Sequence, residues 1–258
     1  MLDRIPARDR RQGLIFRFLS RIRLAPGATR LLISRNRDLS GAAHALLPPA
    51  KFTALIAAID AVNAEDPRET VVGGAGRPYE TVYAERIWEQ LEALYPDAGE
   101  LLRIAARAQH IRRWAIPRGD YPEGREGYNK WRTTLRAMHA DTVGALMRDA
   151  GYSEEEAAKV GSYLRKEQLK KDPDSQALEN VVDVVFLTYY WDEFIGKYAH
   201  YDDDKLVDIV GKTLRKMSST GHNAALKLDL DDRTARIVGR ALEREKKALE
   251  ALAKHEVS

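Results

Sequence analysis

The sequence contains no cysteine, which excludes disulfides, thiolate metal ligands and cysteine nucleophiles. It also lacks any run of about 18 apolar residues, so no membrane-spanning segment is predicted. Hydrophobic residues make up 44% and charged residues 31% of the 258 positions, a balance typical of a globular protein with a sizeable core. These features predict a cytoplasmic protein whose chemistry, if it has any, relies on histidine, carboxylates or a bound ion.

Positive charge is concentrated at the N-terminus. Residues 1–50 hold ten Arg, no Lys and three Asp, a net charge of +7, whereas the 32 basic and 36 acidic residues that follow give −4. An acidic body is a poor platform for nucleic acid, so nucleic acid is not expected as a partner. We interpret 1–50 as an Arg-rich, poorly ordered extension, with a targeting segment or a misassigned start as alternatives, and 51–258 as one domain.

The pattern after Lys51 is helical almost throughout, with apolar residues recurring every three or four positions. About eight such segments share one core, which predicts an all-α helical bundle. The glycine-rich stretch VVGGAGRPYE, residues 71–80, has no preceding strand and no Lys-Ser/Thr ending, so it predicts a loop and not a phosphate-binding loop. Residues 226–230, LKLDL, alternate in polarity and predict a short extended piece.

Several helix ends can be assigned from the sequence. Residues 153–156, Ser-Glu-Glu-Glu, have the form of a capping box. Gly151 is placed to end the preceding helix, which is predicted over 128–150. Asp174 is the expected cap of the most apolar helix of the chain, ALENVVDVVFLTYYWDEFIGKYA.

The predicted helix 98–114 carries a histidine among arginines. In it Arg103, Arg107, His110 and Trp114 follow i, i+4, i+7 and i+11, which places them on one stripe beside the apolar face. Neighbouring arginines lower the pKa of an imidazole and keep it neutral, fit to bind a metal or act as a base. The same arginines suit a phosphate or carboxylate ligand. The alternative is a structural histidine at the core boundary, with solvated arginines.

Other polar residues lie in apolar or basic surroundings. His139 sits at the edge of the apolar face of its helix, where it can meet His110 across a helix pair or serve as a satisfied core residue. Asp183 lies within VVDVVFL, where an unpaired charge is costly, so it needs a cationic partner or a metal. His222 follows Lys216 in a stretch, KMSSTGHNAAL, that we expect to be a loop and compatible with an anion site.

The segment PRGDYPEGREGYNKWR interleaves Arg118 and Arg132 with Tyr121, Tyr128 and Trp131. Aromatic side chains among arginines can stack on bases or sugars. They can also fasten a long loop to a helical bundle, and the sequence leaves both interpretations open.

The run QHIRRWAIPR, then YP, GYNKWR, HA, KMS and GH, resembles an uncharacterised family, the domain of unknown function numbered 4202. The resemblance covers about Lys51 to Leu230. Members of that family are often labelled glutamyl-tRNA synthetase. That label finds no support in the residues, because there is no nucleotide-binding βαβ pattern and no basic surface of tRNA size in the body. We therefore expect a protein that is not an aminoacyl-tRNA synthetase.

The helical order is also similar to that of the HD-domain phosphohydrolases, whose metals are held by a histidine, a His-Asp pair and a later aspartate. The resemblance implies that His110 is the histidine of the pair, but Ile111 stands where the aspartate belongs. Glu80 lies near the position of the first histidine. Asn180 lies near that of the last aspartate, three residues before Asp183.

Two functions are weighed most closely. The first is an HD-like hydrolase of a phosphorylated or nucleotide-like small molecule, with His110, His139, Glu80 and Asp183 catalytic and the two histidines holding a divalent metal. The second is a non-catalytic helical module that binds an anionic ligand, and an RNA-associated role is a third hypothesis. In either of the first two, the residues expected to hold the anion are Arg107, Arg113, Trp114, Arg118, Arg132, Lys216 and His222. The sequence predicts neither the substrate nor the oligomeric state.

Overall fold

The computed structural model describes residues 50–256, with side chains up to residue 249. The chain divides into two compact units. The larger unit comprises residues 49–70 and 77–258, and of the smaller unit the described part is residues 71–76. The extension predicted over 1–50 therefore lies outside the described residues, apart from Ala50. No helix within the described range is long and apolar enough to cross a membrane.

The prediction of an all-α protein is confirmed. The described range has ten α-helices instead of about eight, together with one two-stranded hairpin. The hairpin pairs β1, Glu69–Val72, with β2, Ala75–Pro78. The helices are α1 Ala50–Ala64, α2 Tyr79–Leu94, α3 Glu100–Arg107, α4 Gly124–Asp149, α5 Glu154–Arg165, α6 Pro173–Val185, α7 Trp191–Lys197, α8 Asp203–Leu214, α9 Ser219–Ala225 and α10 Asp232–Glu256.

Two apolar clusters form the core of the larger unit. The first is built from α1 to α6, with pairs one helical turn apart such as Leu55 and Ile59 of α1 fully buried. The second joins the end of α6 to α7, α8 and α10 around Trp191 and Leu206. α4 packs along α5, and α8 packs along α10. The predicted helical periodicities therefore do correspond to buried faces.

The predicted helix 98–114 is wrong at its C-terminal end. α3 ends at Arg107, residues 108–112 form turns, and the chain resumes as a short 3₁₀ helix over Arg113–Ala115. The reversal passes through Arg112, whose backbone is left-handed with φ 55°. Because the helix stops, Arg107 and His110 do not share a stripe.

Four local predictions have different outcomes. The capping box at 153–156 is confirmed, since the Ser153 side chain accepts from the Glu156 N–H and the Glu156 side chain accepts from the Ser153 N–H. The cap of α6 is Asp172 and not Asp174, because Pro173 occupies the first helical position. The glycine-rich stretch forms a hairpin instead of a loop, turning at Gly73 and Gly74 with positive φ. Residues 226–230 contain no strand.

The apolar helix of the second half is interrupted. α6 passes into one π-helical segment, Phe186–Tyr190, before α7 begins at Trp191. The segment carries Tyr190, whose ring lies 5.5 Å from that of Tyr83. A π segment re-aims side chains within an otherwise continuous helix and often occurs near functional sites.

Candidate functional site

A small cavity of about 70 Å³ lies within the larger unit, between the turn that follows α3, the middle of α4, the end of α5 and α6. Its apolar wall is formed by Leu135, Leu164 and Val182. The rest of its lining is polar or charged. These residues are Gln109, His110, Arg113, Arg132, Arg136, His139 and Lys166.

α4 contributes three of these side chains. Arg132, Arg136 and His139 follow i, i+4 and i+7, so they lie on one face of the helix. Arg132 and Arg136 are half-buried and His139 is buried. The helix therefore presents two guanidinium groups and one imidazole to the same cavity.

The arginines of the cavity have no acidic partner. No carboxylate of residues 50–249 forms an ion pair with Arg113, Arg132 or Arg136, although most other arginines of that range are paired. The guanidinium of Arg113 lies 4.7 Å from the centre of the Trp131 ring, and that of Arg132 lies 5.6 Å from the Tyr128 ring. Burial lowers the pKa of Arg113, and burial with the nearby Arg132 lowers that of Arg136. The three arginines thus have no ion-pair partner among the described residues, although the charges of Glu80 and Glu179 partly offset those of Arg113 and Arg136.

His110 is held between an aromatic ring and a carboxylate. Its ring stacks on Tyr83 with centroids 3.9 Å apart and an interplanar angle of 10°. Its Nδ1 lies 3.5 Å from Oε2 of Glu80, a long contact that becomes a good hydrogen bond only if the groups tighten. Burial first and Arg113 second hold the pKa of His110 well below its ordinary value, so the free protein carries it neutral.

Glu80 stands behind His110 and is buried. Its Oε1 accepts from Arg68 at 2.7 Å, and its backbone N–H donates to Asp66, which Arg68 also binds. Burial raises the pKa of Glu80 to about 7, despite the opposing effect of Arg68. The pair of Glu80 and His110 is therefore a buried carboxylate–imidazole contact that can change its charge near neutral pH.

His139 has one nitrogen satisfied and one free. Nδ1 lies 2.7 Å from the carbonyl oxygen of Ile111, so in the neutral ring Nδ1–H donates and Nε2 carries the lone pair. Nε2 is buried and has no hydrogen-bond partner among the described residues. Burial lowers the pKa of His139 to about 3. Its ring centroid lies 6.0 Å from that of His110, so the two histidines line one cavity.

Lys166 connects the cavity to a buried ion-pair network. Its Nζ donates to Oε2 of Glu179, whose Oε1 accepts from Lys216 at 3.0 Å. Lys216 also donates to Asp183 at 2.6 Å, which supplies the cationic partner that Asp183 was expected to need. The two lysines outweigh the effect of burial and lower the pKa of Glu179 to about 2, whereas burial raises that of Asp183 to about 6.

The donor set does not fit the predicted metal centre. Residues 50–249 contain no group of three or more His, Asp or Glu side chains placed to hold a metal ion. His110 and His139 are adjacent, but a structural or catalytic zinc site needs at least three protein ligands. The assignment of the two histidines as metal ligands stays a prediction.

Several residues predicted to hold an anion lie elsewhere or are already engaged. Arg107 binds Asp60 at 2.5 Å, and Arg118 donates to the carbonyl groups of Tyr121 and Pro122. Lys216 is neutralised by two carboxylates.

Two further residues predicted to hold an anion lie away from the cavity. His222 lies in α9 instead of a loop, and its Nε2 is 2.7 Å from the carbonyl oxygen of Leu214. Trp114 belongs to the 3₁₀ turn and does not line the cavity. Of the predicted anion ligands, only Arg113 and Arg132 line it.

Three residues of the lining, Gln109, Arg136 and Lys166, are not predicted by the sequence patterns. A signal existed for Arg136, because Arg132, Arg136 and His139 share one helical face in the printed sequence. No local signal identifies Lys166, which lies just beyond α5 with a left-handed backbone, φ 60°.

The fold and the cavity define a helical-bundle protein with a buried, positively charged pocket. The family model described as "Domain of unknown function (DUF4202)" matches residues 53–238, and the chain belongs to that family. No curated protein and no solved structure matches the chain. An HD-like arrangement of the helices therefore remains a prediction.

Proposed function

We propose that the protein binds a small anionic ligand, whose charged group enters the cavity between α4 and the turn after α3. The observation that carries the proposal is the convergence of Arg113, Arg132 and Arg136 on one cavity with no carboxylate partner among residues 50–249. Charges that are even partly withdrawn from water are normally paired, and these three half-buried arginines are explained by a ligand that supplies the opposite charge. Arginine is also the residue best suited to bidentate binding of oxyanions.

The size of the cavity restricts the ligand. Pockets that enclose a whole drug-sized molecule have volumes of roughly 300–1,000 Å³, whereas this cavity measures about 70 Å³. It has room for one oxyanion group, and the rest of a larger ligand would lie outside it. The exposed ring of Tyr128 lies 5.8 Å from that of Trp131. These two rings contact Arg132 and Arg113, so they offer a stacking surface for the part of the ligand that remains outside the cavity.

Thermal unfolding in increasing inorganic phosphate tests the binding. A ligand that binds the folded state alone raises its stability by RT ln(1 + [L]/Kd), so the wild type should unfold at rising temperature as phosphate increases. Arg136→Gln should lose about 1.5–3 kcal/mol of binding, the value of a charged hydrogen bond, or roughly tenfold to a hundredfold in Kd. Arg240→Gln is the matched control, because Arg240 pairs with Asp204 on an exposed surface. Equal phosphate responses in all three proteins would refute the site.

Hydrolysis of a phosphate ester is the second candidate function, and one specific observation favours it. The cavity contains a buried imidazole nitrogen, Nε2 of His139, with no hydrogen-bond partner in the described part of the chain, and beside it the contact of His110 with Glu80. A water bound there can give a proton to Nε2 while its oxygen attacks the phosphorus of a bound ester. The bond from phosphorus to the ester oxygen then breaks, and the alcohol leaves with the proton that the imidazolium returns. The negative charge of the ester also raises the pKa of His139 toward a useful range.

The hydrolysis of p-nitrophenyl phosphate separates catalysis from binding. If the cavity is catalytic, the wild type releases nitrophenol and His139→Gln loses at least about a hundredfold in kcat, the usual contribution of a general base, while phosphate still raises its unfolding temperature. Adding and removing divalent metals in the same assay tests the predicted metal assistance. Binding of the ester without turnover, with or without metal, would leave the non-catalytic module as the function.

A further inference from the structure

We propose that the cavity selects a dianionic group, and hence that the ligand is a phosphomonoester, in preference to a carboxylate, a sulfate ester or a phosphodiester. This inference rests on the proposed function and names the ligand class of the same site. Its support is the balance of charge over the side chains that line the cavity and the ion-pair networks that adjoin His110 and Lys166, together with the donors that the lining offers.

The carboxylates near the cavity are already matched by cations. Glu80 and Asp66 share Arg68, which leaves one negative charge, and Glu179 and Asp183 are bound by Lys166 and Lys216, which leaves none. The lining contributes three further cations that have no ion-pair partner among the described residues. These are Arg113, Arg132 and Arg136. Six cations and four carboxylates leave a surplus of two positive charges.

The neutral members of the lining do not change this surplus. The pKa values of His110 and His139 both lie below their ordinary range, so the imidazoles add no charge at neutral pH. The carboxylates are counted as ionised, which holds for Glu80 and Asp183 above their pKa values of about 7 and about 6. At pH 8 the side chains of the cavity and its adjoining ion-pair networks therefore have a net charge of two positive units.

The common anionic groups of metabolites differ in how well they match that surplus. A carboxylate, a sulfate ester and a phosphodiester each carry one negative charge, whereas a phosphomonoester carries nearly two above its second pKa of about 6. A monoanion would leave one buried charge uncompensated, which is costly in a partly desolvated site. A phosphomonoester also offers three terminal oxygens, enough to accept from three separate guanidinium groups.

Methyl phosphate and dimethyl phosphate form a matched pair of probes, since both are small tetrahedral esters that differ by one charge. Isothermal titration calorimetry of the full chain at pH 8 should show methyl phosphate binding at least about tenfold more tightly than dimethyl phosphate or acetate. Inorganic sulfate, a dianion that is not an ester, should bind like methyl phosphate. Equal affinity for methyl phosphate and dimethyl phosphate would overturn the inference while leaving anion binding intact. No binding of any probe would instead refute the proposed function.

Arg136→Gln tests the charge balance itself. The substitution lowers the surplus from two to one, so the preference for methyl phosphate over dimethyl phosphate should fall to less than about threefold. Arg240→Gln removes the same charge from the exposed face of α10 and should keep the full preference. Because Arg136 has no ion-pair partner to lose among the described residues, the variant should fold, which circular dichroism checks. An Arg136→Gln protein that retained the wild-type preference would contradict the charge argument.

Discussion

Glu80 gives the sharpest test of the electrostatics of the site. In the folded protein burial raises the pKa of this carboxyl from 4.5 to about 7. Between those two pH values the unfolded chain has lost the proton while the folded chain still holds it. The folded state then binds more protons than the unfolded state, so its stability falls as the pH rises. This loss of folding stability is absent below pH 4.5 and complete above pH 7.

The magnitude follows from the interval between the two pKa values. At about 1.4 kcal/mol per pH unit, the cost reaches about 3 kcal/mol. Glu80→Gln does not titrate, so it escapes this cost at every pH. The free energy of unfolding of the variant minus that of the wild type should therefore increase by up to about 3 kcal/mol between pH 4.5 and pH 8. Contributions that do not depend on pH, such as an altered bond to Arg68, cancel in this comparison.

Urea denaturation of both proteins at pH 4.5, 6 and 8, with no added phosphate, measures the difference. Glu89→Gln is the control, since Glu89 is an exposed carboxylate on the same helix, α2. This control measures the pH dependence that removing an exposed carboxylate of α2 produces by itself. A Glu80→Gln difference that changed with pH no more than the control would refute the argument that burial controls Glu80, and with it the interpretation of Glu80 as a charge-switching partner of His110.

Three further predictions concern single side chains. Ser153→Ala removes the capping bond to the Glu156 N–H and should lower the free energy of unfolding by about 1 kcal/mol in urea titrations, with no change in phosphate binding. Ile87→Ala empties a fully buried position and should cost about 2–5 kcal/mol in the same assay. Lys166→Met should weaken phosphate binding at least about tenfold by calorimetry, because it removes a cavity cation while Lys216 still holds Glu179.

The helices could be predicted from the sequence because their determinants are local. The capping box at Ser153 and the left-handed Gly151 both lie within one turn of the helix end that they define. The apolar periodicity of α1 and α2 likewise identifies the faces that are buried. The prediction that failed is the end of helix 98–114, where the chain reverses. Pro117 limits how far a helix that begins near Glu100 can extend, but no residue before Pro117 signals that the helix ends at Arg107.

The candidate site could be predicted in part. His110, His139, Arg113 and Arg132 were selected by residue type, and all four line the cavity. Arg107 was selected by its spacing from His110, which has meaning only within one continuous helix. Because α3 ends at Arg107, His110 lies outside the helix and the spacing no longer places the two side chains on one face. Arg107 pairs with Asp60 instead. Lys216, the partner that Asp183 and Glu179 share, lies 33 and 37 residues further along the chain from them, a separation that no local pattern specifies.

One of the missed positions, Lys166, has a backbone conformation that explains why helix propensity could not find it. Residues 50–256 contain three non-glycine residues with positive φ, and two of them, Arg112 and Lys166, adjoin or line the cavity. A left-handed backbone costs a side-chain-bearing residue about 1–2 kcal/mol relative to its ordinary conformation. Glycine would avoid that cost, but at position 166 it would remove the cation that joins the cavity to Glu179. Backbone strain that persists where the side chain is needed is typical of a functional site. The departures from sequence rules therefore support the same cavity as the unpaired arginines do.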